Sequence, residues 1–186
     1  MTDHLSDTQL RAIQSDENLK ESFIEQLIDD YSQGILWFTY TYVKDQQLAE
    51  EITQDVFLTC FQKIDQFKNQ SSIKTWLYSI TANRCKDQLR KKSLKSFLSL
   101  KREEQEKNRQ DDKYPELILV EKLERENLAN NVMALPAKFK EVIYMFYFED
   151  MKINEISDIL DVKQNTVKTR LNRGRNLLKK MYGGEE

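Results

Sequence analysis

The amino-acid sequence predicts an all-α protein of two small helical domains joined by a polar linker, with a helix-turn-helix in the C-terminal domain. The 186 residues include only 4 glycines and 2 prolines, whereas strands joined by tight turns need both residue types often. Apolar residues instead recur at every third or fourth position, the period of an amphipathic helix. A hydrophobic fraction of 39% can fill one or two modest cores.

The first domain is predicted over residues 19–92. Residues 1–18 are interpreted as an N-terminal extension with a frayed end. An amphipathic helix is predicted over residues 19–43, because apolar residues recur there at intervals of four. The row consists of Leu19, Phe23, Leu27, Tyr31 and Ile35, widened by Ile24 and Ile28.

Two further helices complete this domain. Asp45 can cap a second helix over residues 46–64, because its side-chain oxygen can accept from a free N–H of the first turn. The polar loop over residues 65–72 ends in a serine that can cap a third helix, from Ile73 to about Lys92.

A linker is predicted over residues 93–114, because the apolar period is lost there and charged residues dominate. The second domain is predicted over residues 115–182. Its first helix starts at Pro115, a residue that suits the first turn of a helix, and ends near Met133. An apolar helix follows from Phe139 to Phe148.

Two short helices over residues 152–160 and 164–182 have the pattern of a helix-turn-helix, with Val162 filling the turn. At 100° per residue, Val167, Leu171, Gly174 and Leu178 share one side of the second helix. The opposite side presents cations, amides and hydroxyls, which suit the major groove. An ordinary solvated basic helix is the alternative. The candidate residues are Asn165, Thr166, Lys168, Thr169, Arg170, Asn172, Arg173 and Arg175.

The charges are strongly segregated, although the net charge is only −2. Residues 84–102 carry 8 bases against 1 acid, and residues 163–180 carry 7 bases and no acid, while the intervening and preceding segments are acidic. Two compact basic segments about 80 residues apart indicate contact with a polyanion at two places.

The first basic segment lies on the third helix, where Ser79, Asn83, Lys86 and Arg90 fall within about 60° of one another. Phe67, Trp76 and Tyr78 could supply aromatic faces nearby. Cations beside aromatic rings suit single-stranded or melted DNA. Taken alone, Trp76 could equally be a core residue, and the basic run could be a solvated helix end.

Several other classes of protein are excluded by the composition. No apolar run approaches the roughly 20 residues of a membrane span, and the acidic N-terminus does not resemble a signal peptide, so a cytoplasmic location is expected. Cys60 and Cys85 are expected to be buried thiols. His4 is the only histidine, and no metal site, cofactor site or catalytic constellation is expected.

Three segments resemble the bacterial RNA polymerase sigma factors of the extracytoplasmic-function class. They are LAEEITQDVFLTCFQKIDQF, IKTWLYSITANRCKDQLRKK and LPAKFKEVIYMFYFEDMKINEISDILDVKQNTVKTRLNRGRNLLKK. The resemblance covers residues 20–92 and 115–181. It implies that the first domain is sigma domain two, which recognises the minus-ten promoter element, and that the second is sigma domain four, which recognises the minus-thirty-five element.

The resemblance also implies roles for individual residues. The third helix matches the family's minus-ten helix, and the loop from Phe67 to Ser72 matches its pocket for an extruded base. The segment TVKTRLNRGR matches the minus-thirty-five recognition helix, with Lys168, Thr169, Asn172 and Arg173 facing bases. The candidate minus-ten residues are Phe67, Lys68, Asn69, Ser71, Ser72, Lys74, Trp76, Ser79, Asn83, Lys86, Asp87, Arg90 and Lys91.

Protein partners follow from the same resemblance. The helix matching LAEEITQDVF would dock on the β′ clamp coiled coil of core RNA polymerase, and the second domain would grip the β flap through an apolar groove. An anti-sigma factor commonly inhibits such proteins. The polar residues expected on the clamp are Glu50, Glu51, Gln54 and Asp55, although a solvated face would look similar.

This sequence departs from the family pattern at four places. Asp161 replaces the usual turn glycine, and aspartate tolerates the left-handed conformation better than most residues. Lys163 stands where a capping residue is common, and Gly174 replaces a common alanine. The loop sequence KNQSS lacks the usual Arg-Gly pattern, which leaves the minus-ten preference open.

The predicted function is that of an alternative sigma factor, which recruits core polymerase to a promoter and assists promoter melting without covalent chemistry of its own. One alternative is a helix-turn-helix regulator that acts without being a sigma subunit. Another is an adaptor or anti-sigma protein that binds polymerase without recognising DNA. An acidic chain of this kind is expected to bind DNA weakly until it has joined the polymerase.

Overall fold

The computed structural model describes residues 5–99 and 130–182, with side chains as far as Lys92 in the first range. Within these residues the backbone forms helices and no strand, which confirms the predicted all-α class. The chain divides into two compact units, Met1–Lys113 and Tyr114–Glu186. No helix in the described ranges is long and apolar enough to cross a membrane.

The described part of the N-terminal unit, residues 5–99, contains four α-helices and a short 3-10 helix, Ile64–Gln66. α2 packs on both α3 and α4, and α1 packs on α2. The core of this unit is formed by α2, α3 and α4, each of which contributes side chains with no exposed surface. These side chains include Leu27, Ile35, Phe38, Val56, Leu77 and Tyr78. The helices are α1 Asp7–Ser15, α2 Glu17–Val43, α3 Gln46–Lys63 and α4 Ile73–Ser99.

The described part of the predicted N-terminal extension contains a capped helix, α1, whereas the frayed end was predicted around His4. The Ser6 hydroxyl accepts from the Gln9 amide N–H at 3.2 Å, and the Gln9 side chain accepts from the Ser6 N–H at 3.0 Å. This reciprocal capping box satisfies two N–H groups that the first turn leaves free. Leu10 and Ile13 bury the inner face of the helix. His4 lies outside the described residues.

The remaining helix boundaries agree with the predictions, with two extensions. α2 begins at Glu17 because Asp16 caps it, accepting from the Asn18 N–H at 2.9 Å. α4 continues to Ser99, so the first seven residues of the predicted linker are helical. The rest of the linker and most of the helix predicted from Pro115 lie outside the described residues, apart from the helical residues 130–134.

Both predicted capping residues in the N-terminal unit are confirmed. Asp45 accepts from the Leu48 N–H at 3.0 Å, and the Ser72 hydroxyl accepts from the Thr75 N–H at 3.0 Å. The apolar row predicted on α2 is only partly buried, because Leu19 is 47% exposed and Ile28 is 39% exposed. The wider helix face that packs on α1, α3 and α4 leaves the edges of that row in solvent.

Cys60 and Cys85 are free, buried thiols, as predicted. Burial raises the pKa of each thiol to about 12, because the surrounding apolar side chains disfavour the charged thiolate. The nearby Thr39 hydroxyl lowers the pKa of Cys85 by less than burial raises it. These positions are therefore structural, since the thiolate is the reactive form.

The C-terminal unit contains α5 Ala137–Tyr147, α6 Ile153–Leu160 and α7 Gln164–Tyr182. α7 packs on α5 and α6. The core lies between them and includes Val142, Met145, Ile156 and Val167, none of which has exposed surface. One buried amine lies beside it: Lys140 Nζ donates to the Met133 carbonyl at 3.0 Å.

Gly174 lets α7 approach α5 so closely that a Cβ at this position would require the Ile143 side chain to shift. A Cβ at this position would lie 2.9 Å from Ile143 Cγ1, 3.2 Å from Ile143 Cδ1 and 3.5 Å from Phe139 Cβ. Close packing is therefore the benefit that offsets the poor helix propensity of glycine.

Gly174→Ala is expected to destabilise the C-terminal unit by about 1 kcal/mol. Alanine gains about 1 kcal/mol in helix propensity, but overpacking costs about 1–3 kcal/mol. Ile143→Ala removes both Cγ1 and Cδ1, so the double variant should be more stable than the two single variants predict together. Urea unfolding followed by circular dichroism measures both quantities. Strictly additive effects would show that the two side chains do not collide.

Candidate nucleic-acid interface

The turn between α6 and α7 depends on the left-handed conformation of Asp161. Its φ of 55° and ψ of 51° confirm the expectation that aspartate serves where a glycine is usual. The Ser157 hydroxyl donates to the Val162 carbonyl at 2.6 Å, and the Val162 N–H donates to the Ser157 carbonyl at 3.1 Å. These contacts fix the direction in which α7 leaves the turn.

Asp161→Gly is expected to stabilise the C-terminal unit by about 0.5–1 kcal/mol, because glycine adopts positive φ without steric cost. The matched control is Asp158→Gly at an exposed interior position of α6, which should destabilise by about 0.5–1 kcal/mol for the same change of side chain. Thermal unfolding of both variants measures the difference. Equal destabilisation by the two changes would contradict strain at Asp161.

α7 presents a polar face opposite its buried residues. Val167, Leu171 and Gly174 are buried, and Leu178 is half-buried, as the helical period predicts. Thr166 is half-buried, and the Thr169 hydroxyl donates to the Asn165 carbonyl at 2.8 Å. The structure brings the predicted candidates together on one exposed surface, the α7 face. Its exposed members are Asn165, Lys168, Thr169, Asn172, Arg173 and Arg175.

Arg170 differs from this group, although the sequence placed it among the DNA-contacting candidates. Its guanidinium Nη1 lies 2.7 Å from Glu141 Oε1, and the side chains of the pair are only 23% and 9% exposed, respectively. The partly buried ion pair joins α7 to α5. The alternative, that α7 is an ordinary solvated basic helix, does not describe Arg170 either, because Arg170 forms an ion pair with Glu141.

Lys138 is a cation beside the α7 face that the sequence analysis missed. It lies in the first turn of α5 and lines an open depression together with Asn165, Thr169 and Arg173. Its Nζ is 5.1 Å from the centroid of the Phe139 ring. No pattern could have marked it, because residues 103–162 are acidic overall and the contact is between helices.

The N-terminal unit exposes a second basic surface, the α4 face. Asn83, Asp87, Arg90 and Lys91 are exposed, and Ser79 and Lys86 are half-buried on the same helix. Arg90 Nη2 lies 2.8 Å from Asp87 Oδ1, and both side chains are largely exposed. An ion pair of this kind contributes little to stability, so these two groups can exchange partners easily.

The aromatic side chains near this face are not available for stacking on bases to the extent expected. Tyr78 has no exposed surface, so the interpretation of this residue as a stacking face is wrong. Phe67 is 5% exposed and packs with its ring centroid 5.1 Å from that of Trp76. Trp76 is half-buried and is the aromatic residue of the three that retains an accessible edge.

Residues 67–72 form a loop, called here the 67–72 loop, which contacts with the rest of the N-terminal unit hold in place. Ser72 is buried as the cap of α4, so its hydroxyl is engaged. Asn69 adopts a φ of 56° and donates from its side chain to the Leu5 carbonyl at 2.8 Å. Lys68 is exposed, and Ser71 and Lys74 are half-buried. Lys68 is therefore the charged side chain that this loop offers to solvent.

The polar face predicted for polymerase binding lies on α3, where all four residues are exposed. Gln46 Nε2 donates to Glu50 Oε1 at 3.0 Å, which occupies one of them. Leu58, one turn beyond Gln54, is 55% exposed. This exposed leucine was not predicted, and it places an apolar side chain on an otherwise acidic surface. The four residues are Glu50, Glu51, Gln54 and Asp55.

The described residues contain no cluster of histidine, cysteine, aspartate and glutamate able to hold a metal ion. The clefts and faces offer cations, amides and hydroxyls instead, which can bind a nucleic-acid backbone and base edges.

Comparison with known proteins gives matches in both units. The sequence profile of sigma-70 region 2 matches residues 27–94, and that of sigma-70 region 4 matches residues 125–178. The ECF RNA polymerase sigma factor SigW of Bacillus subtilis is 30% identical over 160 residues, 83% of this chain and 86% of that protein. RNA polymerase sigma factor SigV of the same organism is 30% identical over 152 residues, covering 82% and 86%.

Two solved structures share the fold. The sigma factor RpoE of Bartonella quintana, solved with the anti-sigma factor NepR, gives a TM-score of 0.70 at 20% identity and covers 87% of this chain and 98% of that one. CnrH, solved with the cytosolic domain of CnrY, gives 0.63 at 16% identity and covers 96% of each chain. The arrangement of helices is thus one already seen in solved structures.

Proposed function

Since this chain belongs to the ECF RNA polymerase sigma factors, we propose that it binds core RNA polymerase in the cytoplasm and directs initiation at a particular set of promoters. It does no covalent chemistry in this role, and the polymerase makes the RNA. The observation that carries the proposal is the α7 face, where exposed cations and amides follow a fixed turn and no acid occurs from residue 163 to 180.

Recognition of the minus-thirty-five element is assigned to the α7 face. Lys168, Asn172 and Arg173 are exposed on one side of a helix, the geometry that the major groove accepts. Arg175 is proposed to neutralise a phosphate beside them, and Lys138 can do the same from α5. Arg170 is proposed to be structural, because Glu141 occupies its guanidinium.

Recognition of the minus-ten element is assigned to the α4 face and the 67–72 loop. Asn83 and Lys86 are proposed to contact the non-template strand, with Trp76 at its edge. Phe67, Ser72 and Tyr78 are proposed to support the site from within, because all three are buried. The unit that matches sigma-70 region 2 would thus capture unpaired bases with a loop whose framework is already packed.

Protein contacts complete the proposal. Glu50, Glu51, Gln54 and Asp55 are proposed to dock on the β′ clamp coiled coil, with Leu58 in the same contact, and the C-terminal unit is proposed to bind the β flap. RpoE and CnrH were solved with an anti-sigma factor and with the cytosolic domain of CnrY, respectively. By analogy, we propose that an anti-sigma factor inhibits this chain as well.

The test is transcription in vitro with purified core polymerase and fragmented genomic DNA from the source organism. Adding the full chain is expected to produce transcripts with discrete 5′ ends, and the DNA upstream of these ends should share two short elements. A gel shift on the same fragments should show weak binding by the chain alone and strong binding with core enzyme. Tight specific binding without polymerase would instead favour a helix-turn-helix regulator.

A further inference from the structure

The N-terminal segment, residues 5–16, lies against the 67–72 loop. Gln14 Nε2 donates to two backbone carbonyls, that of Ile64 at 2.9 Å and that of Phe67 at 3.1 Å. One amide group thus joins the first residue of the 3-10 helix to the start of the loop. The sigma-70 region 2 profile begins at residue 27, so this segment lies outside the part of the unit that the family match describes.

A second contact holds the middle of the loop. Asn69 Nδ2 donates to the Leu5 carbonyl at 2.8 Å and to Asp7 Oδ1 at 3.2 Å. Asn69 also has a φ of 56°, a conformation that costs most residues about 1–2 kcal/mol and that asparagine tolerates better. The N-terminal segment therefore stabilises a loop conformation that the loop alone would adopt only part of the time.

The segment is rigid enough to serve as a support. The capping box between Ser6 and Gln9 fixes its first turn. Leu10 is 6% exposed and Ile13 is 8% exposed, which anchors the helix to the core of the unit. Immediately after it, Lys20 Nζ lies 3.3 Å from Asp65 Oδ2. Contacts from residues 5–20 thus reach residues 64–69 at four points.

We propose that residues 5–16 are a positioning element for promoter melting, and that Gln14 is its central residue. They hold the 67–72 loop in the shape that receives an unpaired base of the non-template strand. This inference rests on the proposed function of the loop. Ordering a backbone residue costs about 1 kcal/mol. A loop ordered during folding does not impose that cost when DNA binds, so the captured base is held more tightly.

The experiment uses the full chain with core polymerase on a promoter that wild-type protein has been found to transcribe. Gln14→Ala removes both donors, and Gln14→Glu keeps the size of the side chain but replaces the donors with an acceptor that repels the carbonyls. Gln26→Ala and Gln26→Glu are the matched controls, because Gln26 is exposed on α2. Affinity for core polymerase and the rate of open-complex formation are measured for each protein.

Both Gln14 variants are expected to form open complexes roughly 5- to 10-fold more slowly on duplex DNA, because two carbonyls lose their donor and the loop is freed. Their affinity for core polymerase should stay within about twofold of the wild type. On a template whose minus-ten bases are already unpaired, the rate should return to within about twofold, since base capture no longer has to drive melting.

Two outcomes would overturn the proposal: open complexes on duplex DNA at the wild-type rate, or an equal loss on duplex and pre-melted templates. The second outcome would assign Gln14 to the general fold of the unit. Neither outcome contradicts the proposed sigma-factor function. That proposal is contradicted only if the wild-type chain gives no promoter-dependent transcript. The two questions are therefore separated by the wild-type lane of the same experiment.

Discussion

Arg170→Ala is expected to lower the free energy of unfolding of the C-terminal unit by about 3 kcal/mol, because it removes the guanidinium that pairs with the buried carboxylate of Glu141. The Glu141 side chain is 9% exposed and lies 2.7 Å from the guanidinium in the wild type. The ion pair is partly accessible to water, because the Arg170 side chain is 23% exposed. The expected loss is therefore at the lower end of the range for broken buried pairs.

The matched control is Lys168→Ala, two positions away on the exposed side of α7. It should change stability by no more than about 0.5 kcal/mol. Urea unfolding followed by circular dichroism reports both units. Tryptophan fluorescence reports the N-terminal unit alone, because both tryptophans, Trp37 and Trp76, lie there. The Arg170→Ala transition should therefore shift in circular dichroism and stay unchanged in fluorescence.

A second substitution identifies the cause of this loss. Glu141→Gln in the Arg170→Ala background removes the buried negative charge that has lost its guanidinium partner and should recover part of the lost stability, which a double-mutant cycle quantifies. Wild-type stability of Arg170→Ala combined with weak promoter binding would reverse the assignment. Arg170 would then contact DNA, as the sequence alone predicted.

Arg173→Ala is expected to weaken holoenzyme binding at the minus-thirty-five element by about 1–3 kcal/mol and to relax sequence preference there, because an arginine can form two hydrogen bonds to guanine. Arg173 is exposed in the middle of the α7 face, and the variant should fold normally. The measurement is binding of wild-type and variant holoenzyme to a panel of duplexes with single substitutions in the element, at several salt concentrations.

Lys179→Ala is the contrasting control, since Lys179 is exposed on the last turn of the same helix. Its loss should lower affinity evenly across the panel and reduce the salt slope by about one unit, as expected of a phosphate contact. If both variants change sequence preference and salt slope equally, the proposed division between base contact and phosphate contact fails.

The helical period predicted the C-terminal unit well because its signals are local. The apolar positions of α6 and α7 and the tolerance of Asp161 for positive φ all follow from residues a few positions apart. The pairing of Arg170 with Glu141 joins residues 29 positions apart. No periodicity on α7 alone could distinguish this arginine from Arg173.

The N-terminal unit shows the same division between local and long-range information. The caps at Asp45 and Ser72 were predictable, and the capping box of α1 was also present in the sequence at Ser6 and Gln9 but was hidden by the polar start of the chain. The burial of Tyr78 could have been predicted from the helical period, because Tyr78 lies seven residues before Cys85 on the same side of α4 and Cys85 was expected to be buried. Its contact with Phe38, at 5.3 Å between ring centroids, joins two helices and was not predictable from either of them alone.

The close approach of α7 to α5 also links two positions in evolution. A Cβ at position 174 would collide with the side chain at position 143. A residue larger than glycine at position 174 therefore requires a smaller or shifted side chain at position 143. Relatives that carry alanine at the position of Gly174 should therefore carry a smaller or differently branched residue at the position of Ile143, or a wider spacing of the two helices. The pair would then co-vary across the family while the hydrophobic character of the interface is preserved.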